Sequence, residues 1–149
     1  NKGVGATNEI LTIHYSTDRL GLASFCEEIK KINYVKNNLK ADVPVITLDE
    51  YILDNSIKEI DFVKIDTEGF ELEVFQGAIN TFSNIKPKFI QIEFNLHQMF
   101  RNTSLNYFAE QLSDYDLYQL LPNSWVKRDA KDPYSNIYQF SNFVFVRIR

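Results

Sequence analysis

The chain has 149 residues, a hydrophobic fraction of 44% and a formal net charge of −4 at pH 7, which suits one α/β-sized domain with a real core. Its basic residues are scattered among acidic neighbours, as at Lys30-Lys31 and Lys127-Arg128, which argues against nucleic acid as a partner because phosphate binding leans on clustered cations. No apolar run reaches the ~18 residues of a membrane span, no basic and apolar leader opens the chain, and the single cysteine, Cys26, excludes an internal disulfide, so the expected setting is soluble and cytoplasmic.

Ile10–Tyr15 alternates as a strand. Apolar spacing through Leu22, Phe25, Cys26 and Ile29 predicts a helix from Leu22 to about Lys36, with Cys26 a buried thiol rather than a nucleophile. Val43–Thr47 reads as a short edge strand, since Pro44 has no N–H to give a ladder. Leu48–Leu53 supplies one or two helical turns. Asp61–Asp66 is apolar and β-branched, suiting a strand buried on both faces, and Thr67-Glu68-Gly69 ends it. Leu72, Phe75, Ile79 and Phe82 recur at helical steps, Pro87 stops that helix, and Lys88–Phe94 is a second apolar strand. Leu105, Phe108, Ala109 and Leu112 mark another helix. Tyr115–Leu121 and Asn142–Ile148 are closing strands, joined by a polar loop around Asp132-Pro133. This order predicts a single helix-covered, mainly parallel α/β domain over residues 1–149.

Ligands of open α/β sheets collect beyond the carboxyl ends of the strands. Two polar clusters fall there: Asp66-Thr67-Glu68-Gly69 and Glu93-Phe94-Asn95, with His97 just beyond. If the two strands are neighbours, their ends lie about 5 Å apart. Adjacent carboxylates repel, which raises one pKa and creates a proton acceptor near neutral pH; a hydroxyl attacking an electrophilic methyl group needs such a sink. The plainer reading is that the acidic residues favour a helix N-terminus and that Gly69 permits a tight turn. Glu93 resists it, because a carboxylate ending an apolar strand needs a partner or a task. His97 divides evenly between loop and pocket, and His14 belongs with the alternating strand. Asp66, Glu68, Glu93 and His97 are the right types for a divalent ion, but no tight spacing such as HExxH appears, so no metal site is assigned.

The run Val45-Ile-Thr-Leu-Asp49, then Ile60-Asp-Phe-Val-Lys-Ile-Asp-Thr-Glu-Gly69, Glu71-Leu-Glu-Val-Phe-Gln-Gly77, Lys86-Pro-Lys-Phe-Ile-Gln-Ile-Glu93 and Asn142-Phe-Val-Phe-Val-Arg147 resembles the FkbM family of methyltransferases. The resemblance spans most of the chain. It implies a Rossmann-like class I methyltransferase sheet ending in an antiparallel strand pair, S-adenosylmethionine as methyl donor, and O-methylation of a hydroxyl on a sugar, glycolipid or secondary metabolite. The family's opening strand, glycine-rich turn and ribose-holding acid have no counterpart here, because Gly3-Val-Gly5 is too short. The chain is therefore expected to be truncated at its N-terminus, with Asn1–Glu9 matching the segment that passes near the adenine.

On that footing Asp66 and Glu93 are the candidate catalytic residues, Asp66 for acceptor orientation or proton acceptance. Glu68, Asn95, His97 and Trp125 are candidate substrate contacts, and Gly3, Val4, Thr67 and Gly69 candidate cofactor contacts. Among Tyr107, Phe108, Tyr115, Tyr118, Trp125 and Tyr134, only Trp125 is singled out to stack on an acceptor ring; the others read as core or cover. Without a neighbour, the strand 61–66 would be an open edge inviting self-association. The competing reading is a non-catalytic remnant serving as a binding or assembly module.

Overall fold

The computed structural model describes residues 1–148. Among the described residues, eight strands form two sheets. A three-stranded sheet holds β1 (Gly3–Val4), β2 (Glu9–Tyr15) and β3 (Leu39–Ile46) in the order β1-β3-β2. A five-stranded sheet holds β4 (Phe62–Ile65), β5 (Phe89–Phe94), β6 (Tyr115–Leu121), β7 (Ser124–Lys127) and β8 (Ser141–Arg147) in the order β4-β5-β8-β6-β7. Four short helices accompany them: α1 (Leu48–Asp54), α2 (Glu71–Gln76), α3 (Leu96–Phe100) and α4 (Leu105–Gln111).

The large sheet has one apolar face built by the period of two along each strand. Ile90, Ile92 and Phe94 of β5 are fully buried. They continue across the sheet through the pairs Ile90–Phe145 and Ile92–Phe143, with Leu117 beside Phe145. Val74 and Phe75 of α2, Phe82, and Leu105 and Phe108 of α4 complete this core. A smaller core gathers Cys26, Ile29, Ile32, Val35 and Phe70.

The α/β class holds, but the sheets are of mixed orientation rather than mainly parallel. In the large sheet β4 and β5 form a parallel ladder, and β8 is antiparallel to both β5 and β6, which therefore point the same way. The closing strand pair is the β6–β8 ladder. β4 is an edge strand, not one buried on both faces, and Phe62 is 51% exposed.

The helix expected from Leu22 to Lys36 does not form. Ser24 exchanges backbone hydrogen bonds with His14 of β2 at 2.8 and 2.9 Å, which holds the chain extended there. Two 3₁₀ turns, Leu20–Leu22 and Glu27–Lys31, flank that bridge. The strand around Pro44 is longer than expected and central, not an edge. It tolerates Pro44 because β1 reaches only Val45 and Ile46, leaving one flank free at the proline.

The expected stripe Leu72–Phe82 is interrupted as well. α2 ends at Gln76, and a π-helical turn follows at Thr81–Ile85. The residues turned inward are Val74, Phe75, Ala78 and Phe82, while Ile79 is exposed. Gly77 is the cause of the break: its backbone packs against Gly5, and an added Cβ would stand 1.9 Å from the Gly5 carbonyl oxygen. Asp49 restarts the helical path, accepting hydrogen bonds from the Thr81 N–H at 2.7 Å and hydroxyl at 2.6 Å, and from the Asn80 N–H at 2.9 Å. The β7 hairpin, β1 and α3 were not anticipated.

Candidate active site

The register of β4 and β5 decides which side chains meet. Ile65 pairs with Ile92 on the core face. One step further along each parallel strand, Asp66 and Glu93 therefore leave the opposite face together, at the carboxyl ends of both strands. Glu93 is 6% exposed there, and its Oε2 accepts a hydrogen bond from Asn95 Nδ2 at 2.7 Å.

The turn after β4 brings a second carboxylate to the same place. Glu68 adopts φ +53° and Gly69 φ +98°, left-handed backbone that a glutamate takes only when its surroundings compel it. Those surroundings are specific. Ser24 Oγ donates to the Glu68 carbonyl at 2.7 Å, and Cys26 Sγ donates to the Gly69 carbonyl at 3.0 Å. From the other side, Glu71 Oε1 accepts from the Thr67 N–H and hydroxyl and from the Gly69 N–H, while its Oε2 accepts from Gln98 Nε2 at 2.8 Å.

α3 delivers the third member. Asn95 Oδ1 caps it by accepting the His97 N–H at 2.7 Å, and Gln98 Oε1 returns the favour to the Asn95 N–H at 2.7 Å, a capping box in the Asn-x-x-Gln spacing. That cap fixes His97, 3% exposed, with Nδ1 3.3 Å from Glu68 Oε2. Ligand-capable atoms of Glu68, Glu93 and His97 lie within 4.8 Å of one another.

Electrostatics follow from this crowding. Burial, then the Glu93 and Asp66 carboxylates, pushes Glu68 up to about 7. Burial, then Asp66 and Glu71, pushes Glu93 up to about 7. Burial holds His97 below its ordinary value despite Asp66 nearby, so its imidazole is neutral at pH 7. The site holds two carboxyls able to take or give a proton near neutral pH.

The structure thus brings together Asp66, Glu68, Glu93, Asn95 and His97. Their roles divide more finely than the sequence suggested. Asp66 is ion-paired with Lys64 at 2.5 Å, its side chain 31% exposed, whereas Glu93 is buried beside Asn95. Asn95 spends its side chain on the cap and on Glu93, so it positions those groups instead of reaching outward. Trp125 lies elsewhere. It sits on β7, at the opposite edge of the sheet from β4, half-exposed and packed on Tyr118 with ring centroids 4.9 Å apart. Three strand spacings separate β7 from β5, roughly 15 Å.

The four cofactor candidates, Gly3, Val4, Thr67 and Gly69, have these surroundings. A Cβ on Gly3 would meet the Phe25 ring at 2.9 Å, so that space is filled. Val4 packs against the main core. Thr67 and Gly69 direct their N–H groups to Glu71. Sequence reasoning also passed over Glu71 and Gln98; a glutamate directly after a glycine turn, followed by a capping-box glutamine, was the available signal. His14 is structural, buried with Nε2 3.1 Å from Glu27, and Cys26 is buried as expected.

Residues 5–120 match the model of the methyltransferase FkbM domain. The chain belongs to that methyltransferase family, and methyltransferases in general draw on S-adenosylmethionine. No curated protein and no solved structure matches the chain. No helix among the described residues is long and apolar enough to cross a membrane.

Proposed function

We propose that this chain carries the acceptor site of a Rossmann-like O-methyltransferase. Its acceptor is a hydroxyl group on a sugar, glycolipid or secondary metabolite. The observation that carries the reading is the convergence of Glu68, Glu93 and His97 beyond the ends of two parallel strands. Methyl transfer to an alcohol needs the hydroxyl proton removed as the oxygen attacks. Glu93, buried and poised near pH 7, is the group suited to accept it, with Asn95 fixing its orientation. Glu68 and neutral His97 are placed to hydrogen-bond the acceptor, and Asp66, paired with Lys64, stands at the rim of the same site. The strand order β4-β5-β8-β6 with β8 antiparallel supports the Rossmann-like assignment.

Incubating the protein with S-adenosylmethionine labelled in its methyl group and a panel of hexoses, glycolipid headgroups and polyketide alcohols tests this. Label should appear on an acceptor oxygen. Label on nitrogen or sulfur would refute the reading. A second reading, a binding module without catalysis, draws on the filled space at Gly3 and the engaged donors of Thr67 and Gly69. Calorimetric titration with S-adenosylhomocysteine separates the two: micromolar binding favours the enzyme, and silence with intact folding favours the module.

A further inference from the structure

We propose that Glu68, Glu93 and His97 bind one divalent first-row transition ion, such as Mn²⁺ or Zn²⁺, through a carboxylate oxygen of each glutamate and Nδ1 of the histidine.

Three independent features point to a cation. The first is spacing. Candidate ligand atoms of all three residues lie within 4.8 Å of one another, and two ligands held in cis at about 2.2 Å from an ion stand about 3.1 Å apart. His97 Nδ1 and Glu68 Oε2 are 3.3 Å apart.

The second is an unmet need. His97 Nδ1 is buried and has no hydrogen-bond partner among the described residues, although Glu68 Oε2 is that close. The two atoms are near without being aligned, which is how two ligands sit on one ion and not how donor and acceptor meet. A buried ring nitrogen left without a partner is destabilising, and a metal bond removes that penalty.

The third is rigidity. Glu68 is held at φ +53° by Ser24 and by its neighbours at Gly69. Glu93 is held by Asn95, and His97 by the α3 cap. The backbones that carry Glu68 and His97 are thus fixed, and the Glu93 carboxylate itself has an outer hydrogen-bond partner, the kind of support metal centres use. One imidazole with two carboxylates suits Mn²⁺, Fe²⁺ or Zn²⁺ better than Ca²⁺ or Mg²⁺, which prefer oxygen alone. Three protein ligands leave positions open for water or a hydroxyl, as at catalytic sites.

The inference deepens and rests on the acceptor-site reading, since an ion held through one oxygen of Glu93 would polarise the acceptor hydroxyl and leave the second oxygen of that carboxylate to take its proton. Binding itself is a separate matter and is tested first. The full chain, stripped with chelator and desalted, is titrated with Mn²⁺ while free ion is followed by electron paramagnetic resonance. One ion should bind in the micromolar range. Glu68→Gln and Glu93→Gln should each weaken it at least about tenfold, and His14→Gln should change nothing. Because a core variant can misfold, Co²⁺ is added to the unaltered chain, where a paramagnetically shifted imidazole N–H resonance that survives His14→Gln identifies His97 as ligand. Absence of Mn²⁺ and Co²⁺ binding at about millimolar ion by folded protein overturns the proposal, as does binding indifferent to Glu93→Gln in a folded variant. Methyl transfer by chelated protein would overturn the ion's part in the reaction and leave the acceptor site standing. Ion binding without methyl transfer would do the reverse.

Discussion

Glu71 closes the turn that carries Glu68: one carboxylate oxygen accepts the Thr67 N–H at 2.9 Å and hydroxyl at 3.0 Å, and the other accepts from Gln98 on α3. Glu71 is 1% exposed, so it spans the interior between the two loops that form the site. Replacing it with alanine leaves buried donors unmet. Glu71→Ala should cost about 3 kcal/mol, read from the urea midpoint, whereas Glu71→Gln keeps an acceptor and should cost less. A change below about 0.5 kcal/mol for the alanine variant would show that the turn holds itself.

Gly77 and Gly21 make a controlled pair. At Gly77 the backbone is unstrained, with φ −85°, and the obstacle is purely steric, the Gly5 carbonyl. At Gly21 an added Cβ meets nothing within 4 Å. Gly77→Ala should destabilise by about 2–3 kcal/mol, since β1 must shift. Gly21→Ala should be within about 0.5 kcal/mol of the parent. Equal thermal midpoints for the two would contradict the packing of β1 on α2.

Burial pushes the Cys26 thiol up to about 12. A thiol whose pKa is raised on folding lends its stability fully below its unfolded pKa, near 8.5, and loses it as pH rises toward 12. Stability should therefore fall above pH 9, by roughly 1.4 kcal/mol per pH unit from this group, and Cys26→Ala should flatten that slope. Iodoacetamide at pH 8 should label Cys26 slowly in the folded chain and rapidly in urea. Fast labelling of the native chain would mean that the Cys26–Gly69 contact is open.

β4 ends the large sheet with Phe62 half-exposed and one flank without a strand beside it. Such an edge favours pairing with another chain. Sedimentation should show association that increases with concentration, and Phe62→Lys should suppress it. A monomer at every concentration, melting sharply, would count against an adhesive edge.

From Leu48 onward, the elements the sequence announced clearly were those whose apolar period matched one face of the sheet. β5 and β6 fall close to the ranges expected from the apolar run Lys88–Phe94 and the closing stretch Tyr115–Leu121, and the juxtaposition of Asp66 with Glu93 follows from taking β4 and β5 as parallel neighbours. The failures share a cause. The Leu22–Lys36 stretch has helical spacing, yet its residues answer to a small core with Phe70 and to the Ser24–His14 bridge, partners that only the fold supplies. Leu72 and Ile79 fit the helical stripe on paper, but the Gly77–Gly5 contact rotates the path between them. Pro44 suggested an edge because a proline lacks a donor; a two-residue neighbour that stops short of it gives the same relief within a sheet. Trp125 looked like a loop aromatic because Asn123 and Ser124 precede it, and the Leu120–Trp125 pairing makes it a hairpin residue instead.

The most direct test compares turnover at saturating substrates for Glu93→Gln and Trp125→Ala once an acceptor is in hand. The account expects Glu93→Gln to lower kcat by about 100-fold or more with little change in KM, and Trp125→Ala to leave kcat within about twofold of the parent protein. Unaltered kcat for folded Glu93→Gln, or a large loss for Trp125→Ala, would place the chemistry away from the tips of β4 and β5.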